Sequence, residues 1–190
     1  MSRWEPNARG RLEQAAMELY GERGYEKTTV TEIAGRAGLT ERTFFRHYAD
    51  KREVLFGGSV LLQELLVTNL AGAPGSASPI DAVAGALRAA APVFDERREQ
   101  SRRRQEIISA NVELQERELV KLDSLAAALA EALRERGVPE PAASLAGEAG
   151  VAVFKVAFGR WIGGSGELGM GAFIQEALDG LKAVTAGGQA

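Results

Sequence analysis

A chain of 190 residues without cysteine excludes disulfide frameworks, thiolate zinc sites and cysteine nucleophiles, yet is long enough to bury a core unaided. Its one histidine, His47, argues against a catalytic triad and a multi-histidine metal site. The net charge of −3 is uneven: residues 1–52 carry ten Lys/Arg against eight Asp/Glu, and residues 53–190 carry thirteen against eighteen, which puts a slightly basic head on an acidic body.

The first predicted helix runs from about Asn7 to Arg23, with Leu12, Ala15, Ala16, Leu19 and Tyr20 as its buried stripe and Gly24 as its stop. Thr29 with Glu32 three residues later predicts a capping box on a second helix, whose apolar face is Val30, Ile33, Ala34 and Ala37. Gly38 supplies a tight turn, and Thr40 caps a two-turn third helix ending near Tyr48. Asp50 and Glu53 cap a fourth helix expected to reach about Ala71, with a bend or domain junction at Gly57-Gly58. Residues 72–79, GAPGSASP, read as a linker. Beyond it come a helix from about Ile80, a charged stretch over 95–105 and a long helix over 113–136. That long helix carries Leu122, Leu125, Ala126, Leu129 and Leu133 on one face. A helix over 140–162, the turn GGSGELGMG and a final helix to about Thr185 complete the chain. No segment alternates with period two, so the fold class is all-α, with about nine helices and no sheet. The expected domains are a head over 1–50 and a body over 51–190.

The opening MSRWEPNARG lacks the apolar run of a leader, and the apolar stretch 59–70 is broken by Gln63 and Glu64 and too short to span a bilayer. A cytoplasmic protein with no membrane partner is expected. No carboxylate pair lies beside the histidine, and the Gly-rich turn has neither a preceding strand nor a Lys-Ser ending. Neither an enzyme nor a cofactor is therefore expected.

Helices two and three form the helix-turn-helix layout, in which the second helix enters the major groove of DNA. Arg42 and Thr43, near the start of that helix, are the candidate base readers: arginine grips guanine O6 and N7 together, and a threonine methyl fits against thymine. Thr29, Thr40, Arg46, His47, Tyr48 and Lys51 are the candidate phosphate contacts. Glu41 reads better as a first-turn acid than as an acceptor for cytosine. Arg97, Arg98, Arg102, Arg103 and Arg104 form a dense cluster that either holds ligand phosphates or pairs with the interleaved Asp95, Glu96, Glu99 and Glu106 on a solvated face. Phe154, Phe158, Trp161 and Ile162 stripe the penultimate helix as core or pocket lining. The small residues of that helix, Ala142, Ala146, Ala149, Gly150, Ala152 and Ala157, suit close packing within the chain or against a second copy.

Ala37-Gly38-Leu39-Thr40, Thr43-Phe44-Phe45, His47-Tyr48 and Lys51 with Val54-Leu55 resemble the N-terminal domain of the TetR family of repressors, as do Gly24-Tyr25, Thr28-Thr29-Val30 and Ile33-Ala34. The resemblance covers about residues 9–56. It implies nine or ten helices, a homodimer through the last two, and a cavity for a small-molecule effector in the larger domain. At the position of Phe45 the family commonly carries tyrosine, whose hydroxyl reaches phosphate; phenylalanine cannot make that bond. Residues 97–161 resemble the C-terminal domains of an actinobacterial branch that senses acyl-CoA-like molecules, and the candidate effector pocket is Phe94, Ile107, Ile108, Leu122, Phe154, Phe158 and Trp161. The expected function is a ligand-responsive regulator of transcription, a repressor released from a double-stranded, pseudo-palindromic operator by an apolar or amphipathic effector. The alternative is an acyl-chain or acyl-CoA carrier without specific DNA binding.

Overall fold

The structure, a computed structural model, describes residues 7–186, so the stretch read for a leader lies partly outside the described residues. The first helix, α1 (Ala8–Arg23), starts where the Asn7 side chain accepts from the Gly10 amide and ends at Gly24. Gly24 has φ +84°, a left-handed value that glycine adopts without steric cost. Helix α2 (Val30–Arg36) carries the full capping box: Thr29 accepts from the Glu32 amide, and the Glu32 carboxylate accepts from the Thr29 amide. Helix α3 (Glu41–His47) is capped by Thr40, which accepts from the Thr43 amide.

The fourth helix expected from Asp50 to Ala71 divides at Gly57-Gly58, where a bend or domain junction is expected. Asp50 does accept from the amides of Arg52 and Glu53, but a short 3-10 turn, Glu53–Phe56, follows, and α4 (Ser59–Ala71) begins only after Gly57-Gly58. Local crowding accounts for glycine at position 57. A Cβ at Gly57 would lie 2.9 Å from the Tyr48 hydroxyl and closer still to Glu13, while Arg9 holds the Gly57 carbonyl. Glu53, expected to close a capping box, pairs with Arg117 in its place.

Residues 72–78 connect to α5 (Pro79–Asp95), which has Ser78 as N-cap and proline in its first turn. The charged stretch becomes α6 (Arg98–Ser109), followed by α7 (Val112–Glu135), α8 (Ala142–Gly163) and α9 (Met170–Thr185). Gly137, at φ +87°, ends the long helix where expected. No strand occurs among the described residues.

The chain packs as two units. The first comprises residues up to Ser59 together with Arg102–Leu119; the second comprises Val60–Ser101 and the residues from Val120 on. These units differ from the expected division at residue 50, because the latter part of α6 and the start of α7 pack with the head. The core of the first unit includes Leu12, Leu19, Ile33, Phe44, Val54, Phe56, Ile108 and Leu114. In the second, α5, α8 and α9 pack on one another around Leu66, Val83, Leu87, Leu129, Leu133, Trp161, Met170 and Ile174. By length and composition α8 is apolar enough to cross a membrane. Here its inner face is packed tightly instead: a Cβ at Gly147 would sit 2.6 Å from the Ala126 carbonyl, and one at Gly150 would run into Val83. The small residues of α8 thus serve two faces. Ala143, Ala146, Gly150 and Ala157 point inward and are buried, whereas Leu145, Ala152, Val156 and Gly159 are exposed.

Candidate nucleic-acid interface and effector site

In the first unit, α2 and α3 are braced from several sides. The Arg36 guanidinium reaches Glu22 at 2.9 Å and Glu18 at 3.3 Å, tying the end of α2 to α1. Arg23 meets Glu32 at 2.6 Å across the same pair of helices. Arg11 donates to the Ala37 carbonyl, and a Cβ at Gly38 would lie 2.7 Å from its Nη2, so this turn at φ +66° has neither the dihedral nor the room for a side chain. Thr31 donates to Glu41 at 2.5 Å, which makes Glu41 a strut between the starts of the two helices. Phe44, fully buried, anchors α3 from within.

The expected DNA contacts separate into two groups. Arg42, Arg46 and His47 are exposed on α3, and Arg42 has no hydrogen bond or ion pair among the described residues. Thr43 is half-buried, with its hydroxyl 3.0 Å from that of Thr40. Burial and the charges of Arg46 and Arg9 hold His47 below the usual histidine value, so it is neutral at pH 7.

Thr29, Tyr48 and Lys51, also expected to contact phosphate, each have partners within the head. The Thr29 hydroxyl is engaged with Glu32 at 3.0 Å. Tyr48 is buried; its hydroxyl donates to Glu13 at 2.7 Å and accepts from Arg9 at 3.2 Å, and burial with the Glu13 carboxylate pushes its pKa up. The Lys51 ammonium donates to the carbonyls of Tyr25 at 3.0 Å, Thr28 at 3.3 Å and Glu26 at 3.4 Å, and sits 4.2 Å from the centre of the Tyr25 ring. Three acceptors saturate its three donors. The Tyr20 hydroxyl donates to the Lys51 carbonyl at 2.7 Å, and burial pushes the Tyr25 phenol up to about 12. Lys51 therefore clamps the loop that presents Thr29. Lys51→Met should cost about 1–2 kcal/mol of head stability in chemical denaturation and leave the salt dependence of DNA binding unchanged. A slope reduced by about one at undiminished stability would return Lys51 to the phosphate contacts.

In the second unit, Phe94, Phe154, Phe158 and Trp161 converge, with ring centroids 5.6 Å apart for Phe94–Phe154 and 5.7 Å for both Phe154–Phe158 and Phe158–Trp161. Trp161 is fully buried, the three phenylalanines half-buried, and Leu122 packs against the same core. Ile107 and Ile108 do not join them. Both pack in the core of the first unit, because α6 has passed into that unit by residue 102.

The arginine cluster is likewise divided. Arg98 donates to the carbonyls of Trp161 and, at 2.8 Å, Gly164, capping the end of α8, with its guanidinium 5.4 Å from the Trp161 ring. Arg104 belongs to the first unit, where it donates to the Leu55 carbonyl at 2.6 Å, pairs with Glu118 at 3.4 Å and lies over Phe56. Neither outcome is the shared phosphate cradle or the plain solvated face expected. A shallow cleft of about 370 Å³, lined by Asn69, Ala73, Asp81, Gly85 and Arg88 among others, lies in the second unit and includes none of the expected pocket residues.

This is a braced helix-turn-helix with arginines exposed on its second helix, the element that enters the major groove in DNA-binding proteins of this layout. The profile of bacterial regulatory proteins of the tetR family matches residues 13–56, and that of the MftR C-terminal domain matches residues 77–186. The chain belongs to the TetR family. It is 40% identical over 81 residues to the HTH-type transcriptional regulator TcmR of Streptomyces glaucescens, a match covering 43% of this chain and 36% of that protein. It is 33% identical over 87 residues to the putative mycofactocin biosynthesis transcriptional regulator MftR of Mycobacterium tuberculosis, covering 44% and 40% respectively. Among solved structures, the SmeT–triclosan complex, SmeT being a repressor of Stenotrophomonas maltophilia, aligns with a TM-score of 0.62 at 19% identity, over 93% of this chain and 90% of that one. Thermus thermophilus FadR in complex with lauroyl-CoA aligns with a TM-score of 0.55 at 24% identity, over 96% and 97%. These two likenesses are of fold.

Proposed function

We propose that the protein is a cytoplasmic repressor that binds a pseudo-palindromic operator as a homodimer and is released by an apolar or amphipathic effector. The observation that carries this reading is the outward face of α3, where Arg42 stands exposed and, among the described residues, unpaired on a helix fixed by Glu41, Phe44 and the Thr40 cap. Arg42 and Thr43 read base edges; Thr40, Arg46 and His47 meet phosphate. In functional terms residues 1–50 read DNA, and the body from residue 51 senses and dimerises.

The dimer forms through α8 and α9. The exposed positions Leu145, Ala152, Val156 and Gly159, with half-buried Ala149, recur every three or four residues along α8, a small apolar stripe against which a second copy can close. The effector meets the half-buried rings of Phe94, Phe154 and Phe158, with Leu122 alongside. Repressor structures of this fold hold triclosan and lauroyl-CoA, both largely apolar, which supports an acyl-CoA-like or similar molecule here. The coupling is a preference of the effector for a dimer whose heads are wrongly spaced, typically about 1–3 kcal/mol and reciprocal with DNA affinity.

Selection from random duplex DNA tests the reading. The expected product is a two-fold symmetric site with half-sites about one helical turn apart or a multiple of it, and Arg42→Ala should relax one base position in each half. An unenriched pool would refute it. His47 adds a pH signature. Its pKa is held low in the unbound head, and a nearby phosphate favours the imidazolium, so binding takes up a proton. Affinity should therefore rise as the pH falls below about 6.5, and His47→Gln should remove that rise in anisotropy titrations.

A further inference from the structure

Phe45 differs from every other aromatic side chain among the described residues: it is 54% exposed, whereas the rest are buried or half-buried. Its ring stands edge-on to that of Phe44, with centroids 5.5 Å apart and planes at 81°. Phe44 is fully buried beneath α3, whereas Phe45 points outward from the helix. Positions 42, 45 and 46 share one stripe of the helix. Phe45 thus shares with the exposed Arg42 and Arg46 the face proposed to meet DNA.

Arginines on that face find acceptors on phosphates or on guanine. A phenyl ring neither donates nor accepts a hydrogen bond, so phosphate offers it nothing. In the major groove the one apolar feature on a base edge is the C5-methyl of thymine. We propose that Phe45 is a specificity-determining residue that recognises a thymine methyl in each half-site. The nearby Thr43 is less suited to that contact, being half-buried with its hydroxyl turned to Thr40. This inference rests on the DNA-binding reading above.

The test uses the full-length protein and the operator it selects, with each thymine of a half-site replaced in turn by deoxyuridine, which removes only the methyl. For the wild-type protein one replacement should weaken binding about fourfold, the worth of one buried methyl-sized group. Phe45→Ala should bind the thymine operator at least as much more weakly, lose all sensitivity to that replacement and keep the wild-type salt slope. Phe45→Leu, which preserves an apolar side chain, should retain sensitivity. Wild-type binding indifferent to every deoxyuridine, or a Phe45→Ala variant that still senses the same one, would overturn the proposal while leaving operator recognition intact. Failure to select any operator would instead remove the DNA-binding reading itself, and this inference with it.

Discussion

Replacing Trp161 by alanine is expected to lower stability by about 3–5 kcal/mol, the range for truncating a large aromatic side chain in a core. The indole is 1% exposed, touches the rings of Phe94 and Phe158, and lies beneath the Arg98 guanidinium. Its loss leaves a cavity where α5 and α8 meet, and it removes the surface on which Arg98 rests while capping α8. Urea unfolding followed by circular dichroism reads the effect, and an unshifted midpoint would contradict the packing described. Phe158→Ala should behave differently, since its ring is only half-buried. Its stability cost should be smaller, with the greater loss in effector response.

The second large effect concerns assembly. A variant carrying Ala152→Glu and Val156→Glu should be monomeric in size-exclusion chromatography with light scattering, because four carboxylates would be forced together across a two-fold interface. Both positions are exposed, so the fold itself should persist. A single head binds one half-site without the gain of tethering, and operator affinity should fall about 100-fold or more. A variant that stays dimeric with unchanged affinity would move the interface away from this face of α8.

Local signals in the sequence were reliable where the interaction itself is local. The Thr29–Glu32 box, the Thr40 cap and the turns at Gly24 and Gly38 depend on residues within a few positions of one another, and each is found where spacing predicts it. What spacing cannot convey is the partner supplied by a distant segment. Lys51 meets carbonyls 23–26 residues earlier in the chain, and Tyr48 meets Glu13, 35 residues away. Both have the chemistry of a phosphate contact, and nothing beside them in the sequence distinguishes that use from clamping a loop. The bend or junction at Gly57-Gly58 is legible in the sequence, but the α1 residues that contact Gly57, Arg9 and Glu13, are not. The expected pocket set divides between the two cores for a related reason. The expected set places Ile107 and Ile108 with apolar residues of the body, and nothing in the sequence tells where α6 passes from one core to the other.

That passage bears on how such regulators are recombined. Exchanging DNA-reading modules between proteins usually assumes one splice point, and here residue 59 looks like the natural place to cut. The excised piece would lack Ile108 and Leu114, which fill its interior, and Arg104 and Arg117, which hold Leu55 and Glu53 from 49 and 64 residues further on. The graft would carry an open seam of apolar side chains and would lose the Arg117–Glu53 ion pair. The head is therefore discontinuous in sequence, and a working transplant has to bring residues 102–119 along as a second insert.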